Sequence, residues 1–131
     1  MANNIELVKS VNGIPFGAGR DEVTRAFGQP NRSFKKTPLS KVETDAYDLF
    51  NVHYTNDYRL EAVEFTKGAE ITVNGSSIPW DYNAIKAWIL AIDPGAEIED
   101  DGITSSANGI GVFAVGNDVQ SLLFASADYY I

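Results

Sequence analysis

The sequence predicts an α+β domain with one mostly antiparallel sheet and two helices packed on one face of that sheet. Its 131 residues suit a single domain over 1–131. Two segments have helical periodicity, and several others alternate as strands do. The content of 44% hydrophobic and 21% charged residues is ordinary for a globular protein and argues against global disorder.

Two segments are typical of short helices. The first covers 20–27, begins with carboxylates in its first turn and ends at Gly28-Gln29-Pro30, where glycine and proline stop a helix. The second follows Asp81, a favourable N-cap residue, and ends at 93–95. Its apolar residues form one stripe at i, i+3, i+4 and i+7: Ile85, Trp88, Ile89 and Ile92.

The remaining segments with a clear pattern predict strands. In 44–54, alternation puts Ala46, Phe50, Val52 and Tyr54 on one face and Tyr47, Leu49 and His53 on the other. The strand over 59–66 has apolar residues on both parities, which indicates a bulge or two covered faces. The others are a weak strand at 31–36, a hairpin at 71–78 around Asn74-Gly75, a short strand at 96–99, and a hairpin formed by 109–115 and 119–125.

The two halves of the chain show the same order of signals. Ile14-Pro15-Phe16 precedes the first helix as Ile78-Pro79-Trp80 precedes the second, and Asn56-Asp57 corresponds to Asn117-Asp118. We therefore predict internal repeats over 13–73 and 78–131, with loops absorbing the differences in length. Side by side, two small units can share a sheet and a core that neither could form alone.

The net charge of −8 belongs to the second half. Residues 1–68 hold nine basic and nine acidic residues, whereas 69–131 hold one basic and nine acidic residues. The densest piece is Glu97-Ile98-Glu99-Asp100-Asp101. An acidic half argues against nucleic-acid binding and favours either solubility alone or attraction of a basic partner.

Several residues of the first half resemble a group of small bacterial proteins. The pattern is Gly13-Ile14-Pro15-Phe16-Gly17, then Glu22-Val23, then Phe27-Gly28-Gln29-Pro30, followed by Leu60–Phe65. It resembles the β-lactamase-inhibitor-protein-like fold, which includes outer-membrane assembly lipoproteins and presumed toxin-immunity proteins. The resemblance implies a tandem α+β repeat and protein binding, and it transfers no catalytic residue. The chain departs from the inhibitor and from the lipoproteins in having no cysteine.

The sequence excludes several kinds of chemistry. Without cysteine, and with His53 as its one histidine, it has no disulfide, no thiolate zinc site and no two-histidine metal site. It contains no phosphate-binding loop, dinucleotide fingerprint or nucleophile elbow. Glu97, Glu99 and Asp101-Gly102 match part of a calcium loop, but Asn108 stands where a bidentate glutamate is needed. We therefore expect no enzyme activity, no cofactor and no metal.

These exclusions favour a protein-binding module, specifically an immunity or inhibitor protein that blocks a basic partner such as a toxin. Tyrosines are enriched in binding hot spots, and carboxylates attract a basic surface. The residues predicted to contact the partner are Tyr47, His53, Tyr58, Tyr82, Glu97, Glu99, Asp100, Asp101, Tyr129 and Tyr130.

Three alternatives stay open. An acidic mimic of nucleic acid that inhibits a defence enzyme predicts one stripe of carboxylates with phosphate-like spacing. A small-ligand binder or small enzyme predicts a deep pocket that holds His53 beside a carboxylate. A structural module predicts a homodimer joined through sheet edges or the open face. We expect a monomer or homodimer in the cytoplasm, without nucleic acid or membrane, because the first residues lack a secretory pattern and no apolar run can cross a bilayer.

Overall fold

The computed structural model describes residues 2–130, and within them the chain forms two sheets and two α-helices. The helices are α1 (Arg20–Phe27) and α2 (Tyr82–Ile92). The strands are β1 (Asn3–Glu6), β2 (Ser10–Val11), β3 (Ile14–Pro15), β4 (Arg32–Phe34), β5 (Thr44–Ala46), β6 (Phe50–Tyr54), β7 (Leu60–Thr66), β8 (Ile71–Val73), β9 (Ser76–Ile78), β10 (Glu97–Glu99), β11 (Gly102–Ser105), β12 (Ile110–Val115) and β13 (Asp118–Ala125).

Both helices lie where the sequence predicts them. Helix α1 ends at Gly28, whose φ of 86° suits glycine, and Gly28 N–H donates to the Thr24 carbonyl oxygen. Helix α2 begins after Asp81, whose Oδ2 accepts a hydrogen bond of 2.9 Å from the backbone N–H of Ala84. The C-terminal end of α1 and the start of α2 therefore follow from local capping chemistry.

The larger sheet has eight strands in the order β10-β11-β12-β13-β7-β6-β5-β4, and all its neighbouring strands are antiparallel. A second sheet has the order β3-β2-β1-β8-β9, with one parallel pair between β1 and β8. The α+β class with a mostly antiparallel sheet is confirmed. The structure adds the smaller sheet, in which the predicted 71–78 hairpin pairs with β1.

The order hairpin, helix and four antiparallel strands occurs twice, over residues 10–66 and again over 71–125. Each unit begins with a hairpin on an Asn-Gly turn, Asn12-Gly13 or Asn74-Gly75, in which both residues have positive φ. The last strands of the two units, β7 and β13, pair at the centre of the large sheet. This is a recurrence of elements, and the sequence repeats over 13–73 and 78–131 stay a prediction.

The core lies between one face of the large sheet and a layer made of the helices and the small sheet. Helix α1 contributes Val23 to it, and α2 contributes Ile85 and Ile89, all fully buried. The large sheet contributes the residues of one parity, and the small sheet closes the layer. The largest fully buried side chains are Phe65, Phe124, Ile5, Leu60, Ile71, Ile85, Ile89, Ile103, Ile110 and Leu122.

The segment 44–54 is not one strand, because a turn at Tyr47–Leu49 separates β5 from β6. The turn changes the parity of the side chains. Ala46 pairs with Asn51 and so lies on the face opposite Val52, contrary to the predicted shared face. Tyr47 lies on the helix side, where its ring stacks on Phe50 with centroids 4.7 Å apart, so its predicted place on the second face is wrong.

The irregular pattern of 59–66 comes from a bulge. Ala62 pairs with His53, but the next pair is Leu60 with Tyr54, which leaves Glu61 as the extra residue. The bulge lets Leu60 and Val63 both face the core despite their opposite parity. The bulge interpretation is therefore confirmed, and the opposite face of β7 is also covered at Ala62, which is 0% exposed.

Candidate functional site: the open face of the large sheet

The open face is the face of the eight-stranded sheet that lies opposite the helices. Antiparallel partners share a face, so the strand register defines its rows. One row runs across five strands: Glu97, Thr104, Gly111, Leu123 and Glu64. Four strand spacings of about 4.8 Å separate Glu97 from Glu64 by roughly 19 Å. The next row holds Glu99, Gly102, Phe113 and Ser121.

A depression of about 190 Å³ lies on this face. Phe113 forms part of its lining and is 48% exposed, unusually open for a phenylalanine. Tyr130 crosses over Gly111, and a Cβ at Gly111 would lie 2.4 Å from the tyrosine hydroxyl. A side chain at position 111 would therefore displace the end of the Tyr130 ring from its place against the sheet. The depression is lined by Glu64, Thr104, Gly111, Val112, Phe113, Ser121, Leu123 and Tyr130.

Glu64 is held in the depression by a chain of polar contacts. Its Oε2 accepts a hydrogen bond of 2.9 Å from the Ser121 hydroxyl. Its Oε1 lies 3.3 Å from His53 Nε2, which donates because a carboxylate can only accept. His53 Nδ1 lies 3.3 Å from the Thr44 hydroxyl. The carboxylate of Glu64 is therefore fixed on two sides, while its side chain stays 31% exposed.

The contacts of Glu64 keep it ionised. The hydrogen bond from His53 lowers the pKa of Glu64 below its ordinary value, against the opposing effect of burial. The hydrogen bond from Ser121 and the positive charge of Lys36 lower it further. Glu64 thus presents a partly exposed negative charge at the centre of the open face.

Two tyrosines flank this carboxylate. The rings of Tyr129 and Tyr130 pack edge to face with centroids 4.9 Å apart. Burial raises the pKa of Tyr130 to about 12, with added effects from Tyr129 and Glu64. Both tyrosines are half-buried, so their rings pack on the open face, outside the core, and stay partly exposed.

The acidic edge of the open face is strand β10. Glu97 and Glu99 are exposed and share the face with Glu64, and Asp100-Asp101 forms the turn into β11. Other acids of the second half lie elsewhere: Asp81 caps α2, and Asp93 accepts a hydrogen bond of 2.7 Å from the buried Ser105. The carboxylates therefore do not form the single stripe that nucleic-acid mimicry requires.

A second polar cluster lies on the helix side and joins α1 to the sheet. Asp45 is 0% exposed, and its carboxylate accepts from Arg20 Nη2 at 2.6 Å and from Arg20 Nε at 3.1 Å. The hydroxyls of Ser33 and Tyr54 donate to the same carboxylate at 2.7 and 2.8 Å. The Arg20 guanidinium also lies over the Tyr58 ring, 4.7 Å from its centroid. These four hydrogen bonds occupy both oxygens of the Asp45 carboxylate. We therefore interpret the cluster as a structural connection between α1 and the sheet.

The predicted contact residues fall into two groups. Tyr47, Tyr58 and Tyr82 lie on the helix side: Tyr47 donates to the Gly28 carbonyl oxygen, Tyr58 accepts from the Glu43 N–H, and Tyr82 packs against the core. The second group shares the open face or its β10 edge: His53, Glu97, Glu99, Asp100, Asp101, Tyr129 and Tyr130.

Sequence reasoning did not single out Glu64 or Phe113, the two residues that define the depression. Glu64 has the parity of a solvent-facing strand residue, and nothing in its local pattern indicates a contact with His53 eleven residues earlier. The signal for Phe113 was its place among alternating apolar residues in β12, where it has the outward parity. An apolar residue on an outward position is the one local indication of this site.

The His53–Glu64 pair does not form an accessible acid–base site. His53 is only 6% exposed, and both ring nitrogens face protein groups. The depression beside Glu64 is shallow and does not include His53 in its lining. A general base must reach a substrate proton directly or through one water, and this ring is covered. Its geometry suits positioning of Glu64.

Comparison with protein-family models, with curated protein sequences and with solved structures found no match. Within residues 2–130, no helix is long and apolar enough to cross a membrane. Over the same residues, no group of three or more His, Cys, Asp or Glu side chains is arranged to hold a metal ion. The site is therefore interpreted from its own geometry and charge.

Proposed function

We propose that this chain is a non-enzymatic protein-binding module that captures a basic partner on its open face. The observation that supports this most directly is the row that places Glu97 and Glu64 on one exposed face beside the open ring of Phe113. Interfaces combine buried aromatic anchors with complementary charge around them. The open face offers both.

The class of partner follows from the sign of the charge. The carboxylates of β10 are fully on the surface, where they raise the association rate with a positively charged protein. We propose an inhibitor or immunity protein, acting in the cytoplasm, that blocks a basic partner such as a toxin. The resemblance to β-lactamase-inhibitor-like proteins, which implied protein binding, agrees with this proposal. No cofactor or metal enters the proposed function.

The test is photocrosslinking in the native host. A photoreactive amino acid replaces Phe113 on the open face, and in a matched variant it replaces Ile92, which has similar exposure at the end of α2 on the helix side. The expected result is a discrete crosslinked protein from position 113 and none from position 92. Equal crosslinking from both positions, or none from position 113, would contradict the proposal.

Charge dependence is tested with paired variants. Glu97→Gln with Glu99→Gln removes two charges from the open face, and Asp21→Asn with Glu22→Gln removes two exposed charges from α1. We expect the first pair to lower the yield of the crosslink and the second pair to leave it unchanged. Raising the salt concentration to about 1 M, where the Debye length is about 3 Å, should reduce the yield for the wild-type chain.

A further inference from the structure

From the geometry of the depression, we infer that the open face recognises a single arginine side chain of its partner, bound between Phe113 and Tyr130 against Glu64. This inference rests on the proposed function and adds the chemistry of the central contact. Three features of the open face support it: a carboxylate, two aromatic side chains and a shallow depression of about 190 Å³ that they line together.

The carboxylate is already oriented for a cation. His53 and Ser121 each donate one hydrogen bond to Glu64, one per oxygen, and each oxygen keeps a further lone pair. A carboxylate fixed in this way loses little freedom when a ligand arrives, which favours binding. The exposed part of the Glu64 side chain lines the depression.

The aromatic walls favour a flat cation. A guanidinium is planar, is weakly hydrated and stacks on aromatic faces, whereas an ammonium is a compact and strongly hydrated charge. Phe113 and Tyr130 both contribute to the lining of the same depression as Glu64. The hydroxyls of Thr104 and Ser121 supply acceptors for the other N–H groups of a guanidinium. The depression therefore suits arginine better than lysine.

Lys36 lies near enough to Glu64 for its positive charge to act on the carboxylate. Its charge lowers the pKa of Glu64, but the two side chains form no ion pair within 4.0 Å among the residues that the structure describes. Lys36 is exposed and does not line the depression. It therefore leaves the Glu64 carboxylate accessible from the depression.

The test uses nitrogen-15-labelled protein titrated with the blocked tripeptide acetyl-Gly-Arg-Gly-amide. Citrulline and lysine peptides of the same length are the comparisons, because citrulline keeps the shape of arginine without its charge. We expect the arginine peptide to shift the amide signals of Thr104, Gly111 and Leu123, with a dissociation constant of about 1 mM for so small a ligand. The citrulline peptide should bind at least about 10-fold more weakly, and the lysine peptide more weakly than arginine.

Three variants locate the binding. Glu64→Gln should abolish the shifts, Phe113→Ala should weaken binding several-fold with the carboxylate still present, and Glu22→Gln, an exposed charge on α1, should leave binding unchanged. The amide spectrum of each variant reports whether its fold is intact. Equal binding of arginine and citrulline, shifts confined to other faces, or unchanged binding by a folded Glu64→Gln protein would each overturn the inference.

The two proposals can fail separately. A crosslinked partner at Phe113 together with no arginine-dependent shifts would overturn the arginine site and leave the binding module in place. Arginine-dependent shifts at Gly111 without any crosslinked partner would support the site and count against the wider function. Stronger binding of the lysine peptide than of the arginine peptide would overturn the aromatic part of the argument.

Discussion

Replacement of Asp45 by asparagine tests the polar cluster that joins α1 to the sheet. The carboxylate accepts four hydrogen bonds, two from Arg20 and one each from Ser33 and Tyr54. An amide has one oxygen and one NH₂ group. The hydroxyls of Ser33 and Tyr54 can rotate to accept from the NH₂, but Arg20 cannot accept. In either orientation of the amide, one N–H of Arg20 therefore faces another donor.

The expected loss of stability is about 3 kcal/mol. Removing one partner of a buried ion pair costs about 3–5 kcal/mol, because the other charge is left uncompensated. Arg20 is 28% exposed, so water can solvate part of its guanidinium and the lower end applies. The matched control is Asp57→Asn in the exposed pair with Arg59, where the side chains are 70% and 60% exposed. Exposed pairs contribute about 0–1 kcal/mol.

Urea unfolding followed by the fluorescence of Trp80 and Trp88 measures both variants. With an m value of about 1.5 kcal/mol/M, the Asp45→Asn midpoint should fall by roughly 2 M. The Asp57→Asn midpoint should stay close to that of the wild-type chain, because water solvates both partners of the exposed pair. A loss below about 1 kcal/mol for Asp45→Asn, or equal losses for the two variants, would refute the reasoning.

The same variant changes the response to acid. Burial alone would raise the pKa of Asp45, but the hydrogen bonds from Arg20, Ser33 and Tyr54 hold it below its ordinary value. A lowered pKa in the folded state stabilises the protein above the unfolded value of about 3.9, and this contribution is lost as pH falls through the folded value. Below pH 4 the wild-type chain should therefore lose stability more steeply than Asp45→Asn. Parallel profiles would contradict the assignment.

Two further substitutions test backbone features. Gly102→Ala places a Cβ 2.0 Å from the Val112 carbonyl oxygen, so it should cost about 2 kcal/mol or more in urea unfolding. Gly95→Ala meets its nearest atom at 3.5 Å and should stay within about 0.5 kcal/mol. Asp81→Ala removes the acceptor of the Ala84 N–H, and it should cost about 1 kcal/mol and reduce protection of that amide in hydrogen exchange.

Much of the fold could be predicted because its signals are local. The C-terminal end of α1 follows from Gly28, the start of α2 follows from Asp81, and the hairpin at 71–78 follows from Asn74-Gly75. The small sheet could not be predicted in the same way. Strands β2 and β3 have two residues each, too short for any alternation, and β1 is paired in parallel with a strand 68 residues later. Such pairing is settled by tertiary contact.

The candidate site was only partly predictable for a related reason. Glu97 and Glu99 were identified from a run of acids, but their common face with Glu64 depends on the register of four intervening strand pairs. A single turn also reversed the parity expected for Tyr47. The alternation of side chains between the two faces of a sheet holds within one strand. Each turn or bulge can change which face the following residues occupy. The composition of a face must therefore come from the assembled sheet.

The two edges of the large sheet carry charges of opposite sign on the open face. Edge strands are commonly protected from aggregation by charge, and charge of either sign is sufficient. Strand β10 carries Glu97 and Glu99, whereas β4, at the other edge, carries Arg32 on the same open face. Protection alone gives no reason for the edges to differ in sign. The charge on the open face therefore changes from positive at β4 to negative at β10, over seven strand spacings or roughly 34 Å. A basic partner would be repelled at β4 and drawn towards β10 and Glu64, the half of the face that contains the depression.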